Sequence, residues 1–356
     1  MHITDYVTLG RSGLRVSPFC LGTMTFGTEW GWGSDATTAA AILDGYLEAG
    51  GNFLDTADMY TNGRSETLLG SMIADRKIRD RVVLATKFTF NAAPGNPNAG
   101  GNGRKNVYRA LEGSLRRLGT DYVDLYWLHA WDTVTPVEEV VATLSDLVRA
   151  GKIRHYAFSD VPAWYAAKAH TLALLQGKET PIALQLEYSL VERTIEREHV
   201  AAAAELGMGI CPWSPLAGGF LAGKYRREAQ GASGEGRLAT MKGSANPSVQ
   251  KFTERNWRIL DAVRAVAESA GRSPAEVALG WVAHRPGITS TIIGATSTKQ
   301  LESNLAALTL ALPPESFARL EEASALEPAH PYMFFSGTIQ GMVHGGTNVR
   351  AWRPAG

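Results

Sequence analysis

Four side chains suited to proton transfer occur at regular points in the first half of the sequence. Asp55 and Tyr60 follow one short apolar run. Lys87 ends the next apolar run, and His129 ends the one after it. Each residue alone has an ordinary structural explanation: a turn carboxylate, a half-buried phenol, a solvated lysine at a strand end and a core histidine. A fold that brings the ends of these runs to one place would give them a joint chemical role.

The chemistry that these residue types support is carbonyl reduction. A free tyrosine has a pKa of about 10 and is a feeble acid near neutrality. A lysine ammonium beside it favours the phenolate, and a carboxylate keeps the lysine charged. A neutral histidine can hydrogen-bond a substrate carbonyl. Tyr60 therefore suits a general acid that protonates a carbonyl oxygen while a hydride reaches the carbon. Because side chains cannot supply hydride, a nicotinamide cofactor is required.

Composition narrows the class of protein. The chain has 356 residues, 45% of them hydrophobic, which fits one large α/β domain or two ordinary ones. Its 35 basic and 35 acidic residues give zero net charge, so nucleic acid and anionic membranes are poor candidate partners. No apolar stretch reaches about 18 residues, and the N-terminus lacks signal-peptide features. We expect a cytoplasmic protein in which Cys20 and Cys211 are buried, reduced thiols.

The elements that must position these residues alternate along the chain. Strands are predicted at 19–24, 52–56, 82–87, 123–129, 153–159, 182–187, 208–213 and 291–294, and helices at 35–49, 65–76, 104–118, 136–150, 162–176 and 192–206. Most strand candidates are continuously apolar, which is typical of parallel strands covered on both faces. The pattern predicts a (β/α)₈ TIM barrel. A doubly wound sheet is the alternative, but the first strand lacks a G-x-G-x-x-G loop after it.

Three segments depart from this alternation within the single barrel domain that we predict for residues 1–356. Residues 1–18 should form an N-terminal β-hairpin. The long loops 91–103 and 223–248 follow the third and seventh strands, so both should lie at the carboxyl-terminal face of the barrel, where active sites are built. Residues 326–356 have little periodicity and form a C-terminal extension.

Several separated motifs make the chain resemble the aldo-keto reductases, in the bacterial branch similar to potassium-channel β-subunits. The motifs lie at 21–24, 52–60, 86–87, 128–129, 212–225 and 293–305, so the resemblance covers nearly the whole chain. It implies a barrel fold with NADPH as cofactor. It also implies that the catalytic tetrad consists of Asp55, Tyr60, Lys87 and His129.

The resemblance further implies a cofactor site at the barrel mouth. Ser159, Asp160 and Gln185 match positions that hold the nicotinamide carboxamide, and Trp213 matches the aromatic that stacks on the ring. The complete set of expected cofactor residues is Gly22, Thr23, Met24, Asp55, Ser159, Asp160, Gln185, Trp213, Ser214, Pro215, Leu216, Gly218, Lys224, Arg237, Gly294, Thr296, Gln300 and Asn304.

Two positions depart from the family pattern. Asp160 stands where asparagine is common, so its carboxylate can accept a hydrogen bond from the carboxamide but cannot donate one. Thr296 stands where many relatives have an arginine for the 2′-phosphate. The expected preference for NADPH over NADH then rests on Lys224, Arg237 and Lys299.

The expected substrate wall is aromatic, which suits bulky and partly apolar carbonyl compounds. The expected substrate-contacting residues are Trp30, Trp32, Tyr60, Phe88, His129 and Trp131, with Phe26 and Phe90 nearby. The leading hypothesis is an NADPH-dependent carbonyl reductase acting on an aldehyde or ketone. The same residues could oxidise a secondary alcohol, or the chain could be a cofactor-binding regulatory subunit. A hydrolase is disfavoured, and the sequence leaves the oligomeric state open, homo-oligomers included.

Overall fold

The barrel expected from the sequence is present. The structure, a computed structural model, describes residues 1–228, 231–234, 236–240 and 249–349. Eight parallel strands form its central sheet in the order β12-β3-β4-β5-β6-β7-β8-β9. They are Phe19–Gly22 (β3), Phe53–Asp55 (β4), Val83–Phe88 (β5), Val123–Leu128 (β6), Ile153–Ser159 (β7), Ala183–Glu187 (β8), Gly209–Trp213 (β9) and Thr291–Ile293 (β12). Each lies within one or two residues of its predicted position.

The sheet nearly closes on itself. Strand β12 pairs in parallel with β3, with Ile292 opposite Cys20. On its other side, the N–H groups of Thr289 and Ser290 donate to the carbonyl of Ile210 at 2.9 and 3.4 Å. Closure matters for function because the carboxyl ends of all eight strands then surround one opening.

The strand residues divide between two cores, as alternation along a strand requires. One set fills the barrel interior and includes Phe53, Leu125 and Trp127 together with the two buried, unpaired cysteines, Cys20 and Cys211. The larger set packs the outer faces of the strands against the helices. Apolar side chains on both faces explain why the strands appear as continuous apolar runs in the sequence.

Helices cover the outside of the barrel. They are Ala36–Glu48 (α1), Arg64–Arg76 (α2), Arg104–Leu118 (α3), Val137–Arg149 (α4), Ala163–Leu175 (α5), His199–Leu206 (α6), Arg237–Thr240 (α7), Glu254–Ala270 (α8), Pro274–Ala283 (α9), Thr298–Ala306 (α10) and Pro314–Ala323 (α11). The predicted helix at 192–206 is shorter than expected: a 3₁₀ turn occupies Thr194–Arg197, and α6 begins only at His199. Glu198 interrupts the helical conformation between the two segments, because its φ of −137° is not helical.

The predicted N-terminal hairpin is also present and lies at the amino-terminal end of the barrel. Strands Val7–Thr8 (β1) and Arg15–Val16 (β2) pair antiparallel. Between them, Gly10 adopts a φ of +60° so close to the carbonyls of residues 182 and 207 that a β-carbon would not fit. The N–H of Arg11 then donates to the Gly207 carbonyl at 2.7 Å. This end of the barrel is thus covered, and the opposite end carries the long loops.

The loop 223–248 and the C-terminal extension both contain regular secondary structure. In the loop 223–248, strands Tyr225–Glu228 (β10) and Gly231–Gly234 (β11) pair antiparallel, while residues 229–230, 235 and 241–248 lie outside the described part. A compact unit comprises Met1–Ser324, and a second begins at Ala325 and contains helix Gly337–Val343 (α12). Residues 350–356 lie outside the described part. Over the described residues, no helix has both the length and the apolarity needed to cross a bilayer.

Candidate active site

Three neighbouring strands bring the four predicted catalytic residues to the same edge of the barrel. Asp55 is the last residue of β4, Lys87 lies one residue before the end of β5, and His129 directly follows β6. Because β4, β5 and β6 are adjacent and parallel, their carboxyl ends coincide. Tyr60 begins the short 3₁₀ turn Tyr60–Gly63 that follows β4. All four predicted residues therefore lie at the barrel mouth.

Lys87 is the centre of the hydrogen-bond network. Its side chain is fully buried, and Asp55 is 1% exposed. The ammonium Nζ donates to Asp55 Oδ2, to the Thr56 carbonyl at 2.9 Å and to Tyr60 Oη at 3.2 Å. These three bonds account for all the donors of an ammonium group. The other carboxylate oxygen of Asp55 accepts from Gln185 Nε2 at 3.2 Å.

The electrostatics keep the lysine charged. Burial alone would lower the pKa of Lys87, but the Asp55 carboxylate and the Tyr60 oxygen outweigh it and raise that pKa to about 12. Burial raises the pKa of Asp55, while Lys87 and Gln185 act in the opposite direction. The result is an ammonium group held between the Asp55 carboxylate and the Tyr60 hydroxyl, with a hydrogen bond to each.

His129 completes the cluster as a neutral imidazole. Burial, reinforced by the nearby Lys87 charge, lowers the pKa of His129 well below its ordinary value. Its ring meets the Tyr60 ring edge to face, with centroids 5.8 Å apart and planes at 78°. Within the described part of the chain, its Nδ1 atom is buried without a hydrogen-bond partner. A neutral imidazole has one N–H to donate.

The turn carrying Tyr60 is fixed by an unusual backbone. Thr61 and Asn62 both adopt left-handed conformations, with φ of 46° and 56°. For a β-branched threonine such a conformation is strained and persists only when its surroundings enforce it. The buried Thr61 hydroxyl donates to the Phe26 carbonyl at 3.0 Å and accepts from the Ser65 N–H at 3.0 Å. The loop after β3 thereby holds the tyrosine turn in place.

Aromatic side chains border Tyr60 and His129 at the barrel mouth. Trp30 contacts Tyr60 edge to face at 6.4 Å and packs on Trp32 at 5.6 Å. Phe90, 43% exposed, meets the His129 ring at 4.8 Å. Trp131 is partly buried and packs edge to face on the exposed Trp164 at 5.5 Å; it remains a candidate for the wall.

Two phenylalanines do not belong to this wall. Phe88 is fully buried and packs against Tyr126 at 4.8 Å in the core between strands and helices. The prediction that Phe88 contacts substrate is therefore not supported: alternation along β5 turns Lys87 to the barrel and its neighbour to the helices. Phe26 is likewise fully buried.

The predicted carboxamide residues lie at or near the carboxyl ends of the next three strands around the barrel. Ser159 and Gln185 are buried and pair in register across β7 and β8. Trp213 ends β9, remains partly exposed, and donates its indole N–H to Asp160 Oδ1 at 3.0 Å. Asp160 is an exposed residue, yet loss of hydration around its carboxyl and the nearby Glu187 raise its pKa to about 7, against the effect of the Trp213 hydrogen bond.

The remaining predicted cofactor residues are spread over three loops at the same face. After β9, the segment 214–223 includes several left-handed residues, at Ser214, Ala217, Gly218 and Gly219. Gly22, Thr23 and Pro215 are buried, Met24 and Leu216 are partly buried, and Lys224 is exposed. The Thr23 hydroxyl is occupied internally, by the Asp55 carbonyl and by Ser65. The side chain of Arg237 lies outside the described part.

After β12, side chains of α10 shape the loop that precedes their own helix. Gln300 Oε1 accepts from the Thr296 N–H at 2.9 Å, and Asn304 Nδ2 donates to the Gly294 carbonyl at 3.1 Å. Ser297 caps the helix through the Gln300 N–H. The predicted Gly294, Thr296, Gln300 and Asn304 are thus brought together, with Gly294 and Thr296 exposed.

The residues that brace the cluster from outside were not predicted from the sequence. The buried Glu66 accepts from the Thr86 hydroxyl at 2.5 Å and from Arg117 Nε at 2.6 Å, which supports β5 next to Lys87. Thr89 and Asn102 link the loop after β5 to His129. A polar residue inside an otherwise apolar strand, such as Thr86, was the one available signal. Across the described residues, no group of three or more His, Cys, Asp or Glu side chains is arranged to hold a metal ion.

Comparison with known proteins agrees with this geometry. The model of the aldo/keto reductase family matches residues 18–325. A norsolorinic acid reductase of Emericella nidulans is 36% identical over 332 residues, which is 91% of this chain and 82% of that protein. An NADP(+) aryl-alcohol dehydrogenase of Phanerodontia chrysosporium is 32% identical over 93% of this chain and 89% of its own. The uncharacterized oxidoreductase YrpG of Bacillus subtilis is 35% identical over 89% and 95%.

Proposed function

The chain belongs to the aldo/keto reductase family and is an oxidoreductase acting on carbonyl or alcohol groups, and we propose that it uses NADPH to reduce an aromatic aldehyde or aryl ketone, with Tyr60 as the general acid. The observation that carries the proposal is the hydrogen bond from the buried Lys87 ammonium to the Tyr60 hydroxyl at 3.2 Å, next to the neutral ring of His129.

The proton chemistry follows from these contacts. A substrate carbonyl oxygen at the barrel mouth accepts hydrogen bonds from Tyr60 and from the His129 N–H. As negative charge develops on that oxygen, Tyr60 transfers its proton, and the Lys87 ammonium stabilises the phenolate that remains. Asp55 keeps Lys87 charged throughout. NADPH, when bound, supplies the hydride for the carbonyl carbon. In alcohol oxidation the same residues act in the reverse direction, and the Tyr60 phenolate is the base that removes the hydroxyl proton.

The residues after strands β7, β8, β9 and β12 fit a nicotinamide dinucleotide. Trp213 offers a partly exposed aromatic face beside Asp160, whose carboxylate can accept from a carboxamide N–H. The left-handed residues of segment 214–223 and the capped N-terminus of α10 offer backbone N–H groups of the kind that bind phosphate. The exposed Lys224 is suited to charge pairing with a phosphate. The name of the NADP(+) aryl-alcohol dehydrogenase relative agrees with this choice of cofactor.

The substrate class follows from the aromatic side chains that border the reacting residues. Trp30 contacts Tyr60, and Phe90 contacts His129, so a planar aromatic group beside the carbonyl could pack against either ring. Two relatives carry names that refer to aromatic substrates, norsolorinic acid and aryl alcohols.

The test is turnover of NADPH against a panel of aromatic aldehydes, aryl ketones and aliphatic aldehydes, with NADH in parallel. The wild-type protein should consume NADPH with aromatic carbonyls. Tyr60→Phe removes only the hydroxyl, so it should lose about 10²–10⁴-fold in kcat and keep its NADPH dissociation constant. Undiminished turnover in Tyr60→Phe would contradict the mechanism. Cofactor binding with no turnover of any carbonyl or alcohol would contradict the proposed activity and favour a cofactor-binding subunit.

A further inference from the structure

Thr89, the first residue of the loop after β5, is hydrogen-bonded to the backbone of His129. Thr89 directly follows the strand and has a φ of +122°, a region that β-branched residues rarely occupy. Its hydroxyl accepts from the His129 N–H at 3.2 Å and donates to Asn102 Oδ1 at 2.7 Å. Its carbonyl accepts from the Gly101 N–H at 2.7 Å. These contacts hold Thr89 in its strained backbone conformation, which its surroundings must enforce.

Asn102 is the second component of this connection. It lies at the far end of the same loop, is fully buried, and uses both ends of its amide: Oδ1 for the Thr89 hydroxyl and Nδ2 for the Ala130 carbonyl at 3.0 Å. Its backbone N–H donates to Asp132 Oδ2 at 2.8 Å. One buried side chain thus connects the start of the loop after β5 with the residues that follow His129.

His129 needs such support because little else orients its ring. Its Nδ1 atom has no hydrogen-bond partner among the residues that the structure describes. Its backbone N–H donates to the Phe88 carbonyl at 3.1 Å and to the Thr89 hydroxyl. Its ring packs edge to face against two aromatic neighbours, Tyr60 at 5.8 Å and Phe90 at 4.8 Å. Phe90 is the residue next to Thr89, so Thr89 influences both the backbone and the ring face of the histidine.

We propose that Thr89 and Asn102 are positioning residues that aim the imidazole of His129 at the substrate carbonyl. The proposal rests on the proposed carbonyl chemistry, in which the His129 N–H must point at the reacting oxygen. Both residues are buried, and both act through the backbone of residues 129–130 and through the placement of Phe90. Because a displacement of about 1 Å at a reacting group can reduce a rate about 100-fold, loss of this connection should be visible in kcat.

The experiment compares two conservative changes at Thr89. Thr89→Val removes the hydroxyl but keeps the branched shape, whereas Thr89→Ser keeps the hydroxyl. We expect Thr89→Val to lower kcat about 10–100-fold with an aromatic aldehyde and to leave the NADPH dissociation constant unchanged. Thr89→Ser should stay within roughly threefold of the wild type. Asn102→Ala should resemble Thr89→Val.

A matched control separates positioning from general support of the loop. The buried Asn106 donates to the Gly101 carbonyl at 2.8 Å, but it has no hydrogen bond to Thr89 or to residues 129–130. Asn106→Ala should therefore lower thermal stability and leave kcat per folded molecule close to the wild-type value. Equal losses of kcat in Thr89→Val and Asn106→Ala would overturn the proposal, because both residues would then only support the loop.

A second readout does not depend on turnover. In protein labelled with ¹⁵N-histidine, the imidazole signals of His129 can be assigned by their loss in His129→Gln. We expect those signals to shift or broaden in Thr89→Val and Asn102→Ala, and to keep the wild-type positions in Thr89→Ser. Unchanged His129 signals in Thr89→Val, together with unchanged kcat, would overturn the proposal. If no carbonyl were turned over by the wild type, the proposed function would fail while this spectroscopic comparison would still decide whether Thr89 orients the ring.

Discussion

Removing one member of the buried Asp55–Lys87 pair should destabilise the protein far more than removing both. Both side chains are almost fully buried: that of Lys87 is 0% exposed and that of Asp55 is 2% exposed. Deleting one partner of such a pair leaves a buried charge without its counter-charge, which costs about 3–5 kcal/mol. Replacing both by neutral side chains of similar volume is often neutral or stabilising. With a total unfolding free energy of roughly 5–15 kcal/mol, the single changes should be plainly measurable.

The two single variants should depend on pH in opposite directions. In Lys87→Met, Asp55 loses its counter-charge but keeps the hydrogen bond from Gln185, and burial raises its folded pKa above the unfolded value. The loss of stability is then absent at low pH and grows as the pH rises through that folded pKa. In Asp55→Asn, burial lowers the folded pKa of Lys87 below its unfolded value. That loss is full at low pH and disappears as the pH rises towards the unfolded pKa of about 10.4.

The assay is urea unfolding of the wild type, Asp55→Asn, Lys87→Met and the double variant, at about pH 5.5 and about pH 8.5. The double variant should recover at least about 2 kcal/mol relative to the sum of the single changes, which is a normal size for groups in contact. Single-variant losses that simply add in the double variant would refute the reasoning, since the pair would then not be an isolated buried charge couple. The reasoning would also be refuted if the unfolding free energies of the two single variants changed with pH in the same direction.

Two further predictions concern cofactor and substrate. Because the pKa of Asp160 is raised to about 7, its carboxylate forms between about pH 6 and 8 and should then attract the cationic ring of NADP⁺ by about 1 kcal/mol. Fluorescence titration should show that the preference for NADP⁺ over NADPH rises roughly fivefold over that pH range in the wild type and stays constant in Asp160→Asn. Equal pH dependence in the two proteins would exclude this role of Asp160. Trp30→Ala removes the aromatic contact to Tyr60. It should raise the KM for aromatic aldehydes about 5–30-fold and leave the KM for aliphatic aldehydes nearly unchanged. An equal effect on both classes of aldehyde would contradict an aromatic wall at Trp30.

The positions of the strands could be predicted because they depend on local pattern. An apolar run with a helix before and after it is typical of a parallel strand in an α/β fold, whatever its neighbours prove to be. Once eight such units were recognised, barrel closure placed Asp55, Lys87 and His129 at one edge, and the structure has them there. The helices α8, α9 and α11 were not predicted from the same pattern. The helix predicted at 192–206 was shorter than expected because a 3₁₀ turn precedes it.

The wall of the site shows where prediction from pattern stops. Lys87 and Phe88 are neighbours at the end of β5, and an apolar run buried on both faces carries no mark of which residue points inward. Phe88 was accordingly expected at the substrate, but it packs against Tyr126 outside the barrel. Phe90, two residues further on, faces His129 instead. A shift of one residue reverses the direction of every side chain in a strand, so only the assembled barrel could assign them.

The sequence by itself determined the barrel, the order of its elements and the identity of the four residues at three strand ends, because each of these depends on patterns within a short stretch of chain. Tertiary structure alone decided how those residues are held. The bonds from Arg117 to Glu66, from Asn102 to Ala130 and from Trp213 to Asp160 join residues that are remote in sequence. They form because neighbouring strands and loops meet in one particular register, and no local pattern in the chain encodes that register.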